Sequence, residues 1–358
     1  MKVLATAHGD LPLPAFLPDA TRGVLRLLDT EDVRRCGMDA VMVNTLHLSS
    51  HPGGSVVRRL GGIHRFMDWD GPIASDSGGF QVLSLITQSE SLGSLSDRGF
   101  TYRLARGQAK KTLTPEKCIR LQLRLGADLL FCLDECTHPG SDRERQCASV
   151  ERTVRWAREC KAAFTRGLGK RGGEPPRLFA VVQGGNDPDL RRECAERLVG
   201  MSFDGYGFGG WPIDEQGRLV EMVEFVAGLL PAEAPKHALG IGKPENVVRC
   251  VDLGYDLFDC TIPTRDARHG RLYVFNGPPD TLNLRGDFYH CHYAEDDKHR
   301  RDNNPVDETC ECLACRRYSR AYLRHLFAIH EPLAGRLATI HNLTFYARLM
   351  ERLRAGAP

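Results

Sequence analysis

Acidic and amide side chains end several apolar stretches of this sequence. They are Asp76 in P-I-A-S-D, Asp134 with Glu135 in A-D-L-L-F-C-L-D-E, Gln183 in R-L-F-A-V-V-Q, and Asp259 in Y-D-L-F-D-C. A single such carboxylate could simply cap the helix that follows it, and for Asp76 alone this is a fair interpretation. Polar side chains in equivalent positions after several stretches favour one shared functional cleft.

Two kinds of chemistry suit carboxylates that share a cleft. In glycosidic-bond chemistry, one attacks or stabilises the anomeric carbon and the other handles the proton of the leaving group. A carboxylate also recognises a guanine-like edge, because it accepts hydrogen bonds from a ring N–H and an exocyclic amine, and Gln183 could satisfy a carbonyl. Gly209 and Gly210 would let backbone N–H groups approach a flat base, and Phe80 is placed to stack on it. Sugar hydrolysis would use similar parts.

The elements that must position these residues are eight apolar, strand-like runs. They span residues 14–18, 39–44, 72–76, 127–134, 177–183, 205–210, 236–242 and 255–263, and helical patterns separate most of them. Strands that are apolar throughout and alternate with helices indicate a parallel sheet covered on both faces. Eight such units predict an α/β fold of the (β/α)8 TIM barrel type, in which all strand ends meet on one catalytic face. An open doubly wound sheet is the alternative, although no G-x-G-x-x-G or Walker A motif is present.

Three cysteines within six residues indicate a metal site. Cys310, Cys312 and Cys315 form C-E-C-L-A-C, and His341 follows after a helical stretch. Three thiolates and one imidazole make a closed tetrahedral set, so we expect a structural Zn2+ rather than three free thiols. Spacing alone does not single out His341. His290, Cys291, His292 and His299 could compete, and we interpret them as parts of a solvated loop.

Composition is that of an ordinary globular protein. The 358 residues are 42% hydrophobic and 26% charged, with a net charge of +2. No run of about 18 apolar residues appears, and His8 and Asp10 interrupt any signal-peptide core, so we expect neither a membrane span nor a secretory signal. Most of the thirteen cysteines stand singly in apolar runs, which indicates reduced thiols and a cytoplasmic protein.

Several of these motifs together resemble a known family. S-D-S-G-G-F-Q-V, L-D-E-C-T, V-Q-G-G, G-I-G-K-P, F-D-C-T-I-P-T-R and C-E-C-L-A-C with a distant H-N are similar, in this order, to motifs of the tRNA-guanine transglycosylases. The resemblance runs from about residue 14 to 350. It implies a (β/α)8 barrel with a zinc-binding subdomain inserted after the eighth strand. We place the barrel at residues 1–280, the zinc subdomain at 281–345, and the end of the C-terminal helix at 346–358.

The resemblance also implies a role for individual residues. Asp259 matches the nucleophile that attacks C1′ of the ribose, and Asp76 matches the general acid and base. The implied base-binding residues are Ser77, Phe80, Asp134, Gln183 and Gly210, to which we add Trp211 and Leu239 at strand ends six and seven. Arg265 and Arg268 lie where the family contacts RNA, and the implied zinc ligands are Cys310, Cys312, Cys315 and His341.

The implied reaction exchanges guanine at the wobble position of tRNAs with a GUN anticodon for a 7-deazaguanine. The sequence looks bacterial-like, yet both preQ1 and queuine stay open as the incoming base. The resemblance implies a homodimer and no membrane partner. A relative that acts on DNA guanine and a non-catalytic partner subunit are the alternatives, although the latter would be expected to lose a catalytic carboxylate. Two departures are Trp211, where leucine is common, and Asp266, which would put negative charge near the RNA.

Overall fold

The computed structural model describes residues 2–103, 107, 109–169 and 174–356. Its strands are β1 (Val3–Thr6), β2 (Gly9–Pro12), β3 (Ala15–Pro18), β4 (Val41–Asn44), β5 (Ile73–Asp76), β6 (Gly93–Ser96), β7 (Gly99–Tyr102), β8 (Lys111–Leu113), β9 (Leu129–Phe131), β10 (Arg177–Val182), β11 (Gly205–Phe208), β12 (Lys236–Ala238), β13 (Leu257–Cys260), β14 (Arg271–Phe275) and β15 (Tyr289–Tyr293). Its α-helices are α1 (Thr30–Arg35), α2 (Thr45–Ser50), α3 (Gly54–Arg59), α4 (Ile63–Met67), α5 (Gly79–Gln88), α6 (Pro115–Leu125), α7 (Arg143–Leu168), α8 (Pro188–Val199), α9 (Glu221–Leu229), α10 (Pro244–Asp252), α11 (Ile262–Arg268), α12 (Leu313–Arg317), α13 (Arg320–Ala328) and α14 (Pro332–Ala355). Short 3₁₀ turns cover Glu90–Leu92, Pro279–Thr281 and Asp297–Arg301.

Eight parallel strands form a nearly closed barrel. Their order around the sheet is β3, β13, β12, β11, β10, β9, β5 and β4. A parallel bridge between Asp19 and Met42 brings the two end strands, β3 and β4, together. Each of the eight predicted runs contains one of these strands, so the predicted TIM barrel is confirmed and the open doubly wound sheet is wrong.

The barrel interior is filled by apolar side chains that point inward from alternate strand positions. A buried cluster joins residues such as Met42, Ala74, Phe131, Val181 and Leu257 across the barrel. Leu4 and Leu11 of the β1–β2 hairpin belong to the same cluster, so the hairpin covers one end of this interior. In a parallel barrel the other end collects the polar residues that follow each strand.

Local sequence signals set the ends of the outer helices. In α6, the Thr114 side chain accepts a hydrogen bond from Lys117 N, Pro115 occupies the first turn, and Gly126 ends the helix at φ +78°. Glycine suits this left-handed position because it has no Cβ atom. The predicted end of this helix at Gly126 is therefore confirmed.

The C-terminal part of the chain packs against the barrel through a long helix. Strands β14 and β15 form an antiparallel hairpin, and α12 and α13 precede α14. The side chain of Asn342 on α14 donates hydrogen bonds to Pro263 O and Arg271 O and accepts one from Tyr273 N. These bonds connect α14 to α11 and β14, which are the helix and the strand that follow β13, the last barrel strand in the chain.

Candidate active site and metal centre

A cavity of about 370 Å³ opens at the C-terminal ends of the barrel strands. Among its lining residues are most of those predicted from strand ends and from the family resemblance. They are Asp76, Ser77, Phe80, Asp134, Gly210, Trp211, Leu239 and Asp259. Gln183 is buried beside the cavity and joins it through Asp134. The structure thus brings the predicted catalytic and base-binding residues together around one space.

Asp76 ends β5 and is held by the neighbouring strand rather than by the helix that follows it. Its Oδ2 accepts a hydrogen bond from Asn44 Nδ2 at 2.6 Å, and its Oδ1 accepts one from Thr45 N at 3.0 Å. Helix α5 begins after Gly78, which has φ +76° and makes no side-chain cap bond. The interpretation of Asp76 as the cap of the following helix is therefore wrong.

The environment of Asp76 favours its protonated form. Burial above all, and the nearby carboxylates of Asp259 and Asp19, raise the pKa of Asp76 to about 7 against the opposing hydrogen bonds from Thr45 and Asn44. Removal of water penalises a charge, and like charges penalise each other. A carboxyl group with a pKa near neutrality can both donate and accept a proton, as a general acid and base must.

Asp259 is the third of the four residues of β13 and is held at one oxygen. Its Oδ1 lies 2.9 Å from His237 Nε2 and accepts a hydrogen bond from Gly240 N at 3.1 Å. The Asp259 side chain keeps 23% of its surface exposed at the cavity, whereas the His237 side chain is fully buried. A carboxylate that is anchored but still accessible is suited to attack a bound substrate.

Asp134 and Gln183 form a hydrogen-bonded pair. Gln183 Nε2 donates to Asp134 Oδ2 at 2.7 Å. Burial raises the pKa of Asp134 to about 6, against the hydrogen bonds from Gln183 and Ser77 that lower it. A Cβ atom on Gly209 would lie 2.4 Å from Gln183 Nε2, so glycine is required where the chain passes this pair. The pair therefore presents an acceptor and an amide in a fixed relation.

Two aromatic side chains line the mouth of the cavity. The rings of Phe80 and Trp211 meet edge to face with centroids 5.9 Å apart, and both side chains are about half exposed. Trp211 Nε1 donates to Thr137 O at 3.1 Å, which fixes the indole. Trp211, a departure from the family pattern, thus adds an aromatic wall beside Phe80.

Two residues predicted near the site point elsewhere. Glu135 follows Asp134 directly, but its buried carboxylate pairs with Arg152 and Arg145 on α7 instead of entering the cavity. Adjacent residues of an extended chain face opposite sides, so only one of two neighbouring acids can reach the interior. Asp266 accepts a hydrogen bond from Tyr273 O–H at 2.6 Å and is largely buried, so its charge does not lie on the open surface as expected.

The four predicted metal ligands converge in the C-terminal region. Cys310, Cys312, Cys315 and His341 are buried, and their ligand atoms all lie within 4.8 Å of one another. His341 Nδ1 is 3.2 Å from Cys315 Sγ, while Nε2 lies 2.8 Å from Tyr273 O and donates to it. That second bond fixes the tautomer and leaves Nδ1 free to ligate, as is typical of metal-binding histidines. The donor set therefore fits a metal ion.

The competing residues of the Y-H-C-H-Y motif are not ligands of this cluster. Tyr289–Tyr293 form strand β15 rather than a solvated loop, and His292 and His299 are buried. The strand pairs with β14, whose Tyr273 supports His341. The loop interpretation is wrong because β14 supplies a partner strand that the local sequence does not reveal.

Comparison with known proteins identifies the family. The family model described as queuine tRNA-ribosyltransferase matches residues 1–356. The queuine tRNA-ribosyltransferase of Solidesulfovibrio magneticus is 41% identical over 352 residues, which are 98% of this chain and 88% of the relative. Those of Desulforamulus reducens and Novosphingobium aromaticivorans are 39% and 40% identical, over 98% of this chain and 89% and 88% of theirs. The chain belongs to the queuine tRNA-ribosyltransferase family.

Membership of the queuine tRNA-ribosyltransferase family makes this protein a pentosyltransferase with tRNA-guanine transglycosylase function. Among the described residues, no helix combines the length and the apolar character that crossing a membrane requires. The thirteen cysteines all lie in the described part of the chain, and none of them forms a disulfide bond.

Three residues of this site were not predicted from the sequence. Asp19 and Asn44 line the cavity, and His237 lies beneath Asp259. Asn44 ends β4 and Asp19 follows β3, so the rule that found Asp76 also applies to them. His237 lies in the middle of β12, and no strand-end signal points to it.

Arg265 and Arg268 lie on α11, directly after the strand that carries Asp259. Neither side chain lines the cavity, and the Arg265 side chain is about half exposed. Their position next to the cavity is compatible with contacts to a larger ligand rather than to the base itself.

Proposed function

We propose that this protein exchanges guanine at the wobble position of tRNAs with a GUN anticodon for a 7-deazaguanine, through a covalent bond between ribose and Asp259. The observation that carries the proposal is the contrast between the two carboxyl groups of one cavity. Asp259 is anchored and accessible, whereas the pKa of Asp76 is raised to about 7. One group is suited to attack and the other to move a proton.

The first half-reaction breaks the bond between C1′ and the guanine base. An oxygen of Asp259 attacks C1′, the bonding electron pair leaves with guanine, and protonated Asp76 supplies the proton that guanine takes up. In the second half-reaction, ionised Asp76 removes a proton from the incoming base. A nitrogen of the incoming base then attacks C1′, and the ester bond between C1′ and Asp259 breaks. Two displacements at one carbon retain its configuration, as in a retaining glycosidase.

Base recognition falls to the other residues of the cavity. The carboxylate of Asp134 accepts hydrogen bonds from the ring N–H and the exocyclic amine of guanine or a 7-deazaguanine, and Gln183 and the backbone at Gly210 serve its carbonyl edge. Phe80 and Trp211 stack on the flat ring, while Ser77 and Leu239 line the pocket. Both preQ1 and queuine carry this shared edge, so the assay below must distinguish them.

Recognition of tRNA extends beyond the cavity to α11. We assign phosphate or ribose contacts to Arg265 and Arg268, because they follow the nucleophile by six and nine residues and the Arg265 side chain is about half exposed. Such contacts position the RNA and make affinity dependent on salt. Replacement of both by alanine should raise the KM for tRNA and flatten its salt dependence, with the covalent step unchanged.

Zinc is the metal that suits the Cys3His cluster. Three thiolates and an imidazole with a fixed tautomer make a closed tetrahedral set, which leaves no position for substrate. The ion would join residues 310–315, at the start of α12, to α14 and would take no part in the reaction. Metal analysis of the purified protein should find one zinc per chain.

Three further assignments accompany the proposal. We assign the protein to the cytoplasm, and we keep the division into 1–280, 281–345 and 346–358, of which residues 357–358 lie outside the described part. Exposed Tyr322 on α13 and exposed Ile329 at the C-terminal end of that helix support a homodimer through this region. Analytical ultracentrifugation should find twice the monomer mass, whereas a monomer that gains activity only with a second protein would indicate a heterodimer.

The deciding assay measures exchange of radiolabelled guanine into unmodified GUN tRNA, with preQ1 and queuine as competitors. Incorporation that one competitor blocks would support the proposal and name the base. An Asp259→Asn variant should form no covalent adduct with tRNA, and an adduct that survives would refute the nucleophile. Exchange into DNA alone would support the alternative acceptor. No exchange in either, with the protein folded, would point to a missing partner subunit.

A further inference from the structure

His237 is a polar exception inside the apolar barrel. His237 lies on β12 and pairs with Leu257 of β13. Asp259 lies two residues after Leu257 on β13. Residues two apart face the same side of a strand, so His237 points inward beneath Asp259. Its ring meets Phe131 edge to face with centroids 5.2 Å apart, and its side chain is fully buried.

Burial of an imidazole at this depth costs free energy, and packing alone does not explain why the ring is there. Its Nδ1 is buried with no hydrogen-bond partner among the described residues. A buried polar atom without a partner loses its hydration and gains nothing in return. The neighbouring inward positions hold aliphatic and aromatic side chains, which would fill the same volume without this loss. The single contact that justifies the ring is the one from Nε2 to Asp259.

That contact identifies the tautomer of the ring. While Asp259 is ionised, Oδ1 offers only lone pairs, so a bare Nε2 would repel it. Nε2 must therefore carry the proton and donate, and Gly240 N donates to the same oxygen. Both hydrogen bonds that the described residues make to Asp259 thus reach Oδ1.

We infer that His237 is the positioning residue of Asp259, and that it holds Oδ1 so that Oδ2 is the oxygen that attacks C1′. The inference rests on the proposed function. When Oδ2 bonds to C1′, the electron pair of the C1′–N bond leaves with the base, and Oδ1 becomes the carbonyl oxygen of the ester. A carbonyl oxygen still accepts hydrogen bonds, so the donors at His237 and Gly240 stay in place through both half-reactions. Attack by Oδ1 would instead disturb both bonds.

A pair of amide variants tests this inference. The glutamine side chain of His237→Gln can place an N–H donor near the position of Nε2, whereas the shorter side chain of His237→Asn cannot reach Asp259. The readout is the single-turnover rate of the covalent adduct with unmodified GUN tRNA, trapped by denaturation. A hydrogen bond to a charged group corresponds to roughly 10- to 100-fold in such a rate. We expect His237→Asn to lose that factor and His237→Gln to stay within about five-fold of the wild type.

Controls separate a positioning role from a structural one. Both variants should stay folded and should bind tRNA equally well, because the side chain at position 237 is fully buried and does not reach the RNA. Equal adduct rates for the two variants would overturn the inference, whether both are fast or both slow. If the wild-type protein forms no adduct, the proposed function itself is refuted. If the wild-type protein forms an adduct and Asp259→Asn does not, the proposed function stands, and the rates of the two His237 variants then test the inference alone.

Discussion

The raised pKa of Asp76 makes a prediction about stability that needs no substrate. The folded protein holds the proton of Asp76 up to a pH of about 7, whereas an ordinary carboxyl group releases it near 3.8. Because the folded state binds the proton more tightly than the unfolded state, this group lowers the free energy of unfolding as the pH rises between these values. At about 1.36 kcal/mol per pKa unit, the full loss is about 4 kcal/mol.

The Asp76→Asn variant removes this loss. We expect the free energy of unfolding of the variant, minus that of the wild type, to rise by about 4 kcal/mol between pH 4 and pH 8. Above pH 8 the difference should stay constant. The substitution should also lower the free energy of unfolding by an amount that does not depend on pH. The reason is that the new amide faces the Asn44 amide, which in the wild type donates to Asp76.

Urea denaturation at pH steps from 4 to 9 measures the difference. Asp134→Asn is the matched control, because the pKa of Asp134 is raised only to about 6. Its curve should level off about one pH unit earlier, after a rise of about 3 kcal/mol. A difference between Asp76→Asn and wild type that is the same at every pH would refute the raised pKa and, with it, the assignment of Asp76 as the acid.

Three further predictions concern the metal cluster, the closed end of the barrel and the cavity mouth. Cys312→Ser should release zinc and lower the melting temperature by roughly 10 °C, since structural metal binding contributes to folding; unchanged metal content would refute the ligand set. Burial raises the pKa of Asp128, but hydrogen bonds from His64 and His8 lower it below its ordinary value, so this group stabilises the fold above that value and ceases to do so in acid. Asp128→Asn should cost roughly 3 kcal/mol at pH 7 and little near pH 2, as measured by denaturation, and an equal cost at both would contradict the reasoning. Trp211→Leu should weaken binding of the free base by about 5- to 100-fold in calorimetry if the indole stacks on it, and unchanged affinity would exclude stacking.

The strand-end rule accounts for most of what could be predicted from the sequence. Apolar runs located all eight barrel strands, and the rule then placed Asp76, Asp134 and Asp259 around one cavity. The same rule covers Asn44, which ends β4 as Asp76 ends β5. It fails for Glu135 because the rule names a position along the chain and not the direction of a side chain.

What could not be predicted depends on contacts between distant segments. The β1–β2 hairpin is recognisable as a cover only once Leu4 and Leu11 lie in the barrel interior. The Y-H-C-H-Y motif becomes a strand because β14 pairs with it. The role of His237 depends on its contact with Asp259, which is 22 residues away in the sequence although Nε2 lies 2.9 Å from Oδ1. Neither periodicity nor composition carries such information.

The charge of Asp259 couples the two halves of the proposed reaction. It is one of the causes that raise the pKa of Asp76, so the free enzyme keeps Asp76 ready to act as an acid. Formation of the ester neutralises Asp259, and the pKa of Asp76 should then fall, which favours the ionised form when a base is needed.

Asp259→Asn imitates this neutral state without substrate. In the Asp259→Asn background, the effect of Asp76→Asn on the free energy of unfolding should rise less between pH 4 and pH 7 than in the wild-type background, and should level off at a lower pH. Because the two groups interact, the four proteins of this cycle isolate the coupling. Identical pH curves in both backgrounds would mean that burial alone raises the pKa of Asp76, and that ester formation leaves its proton affinity unchanged.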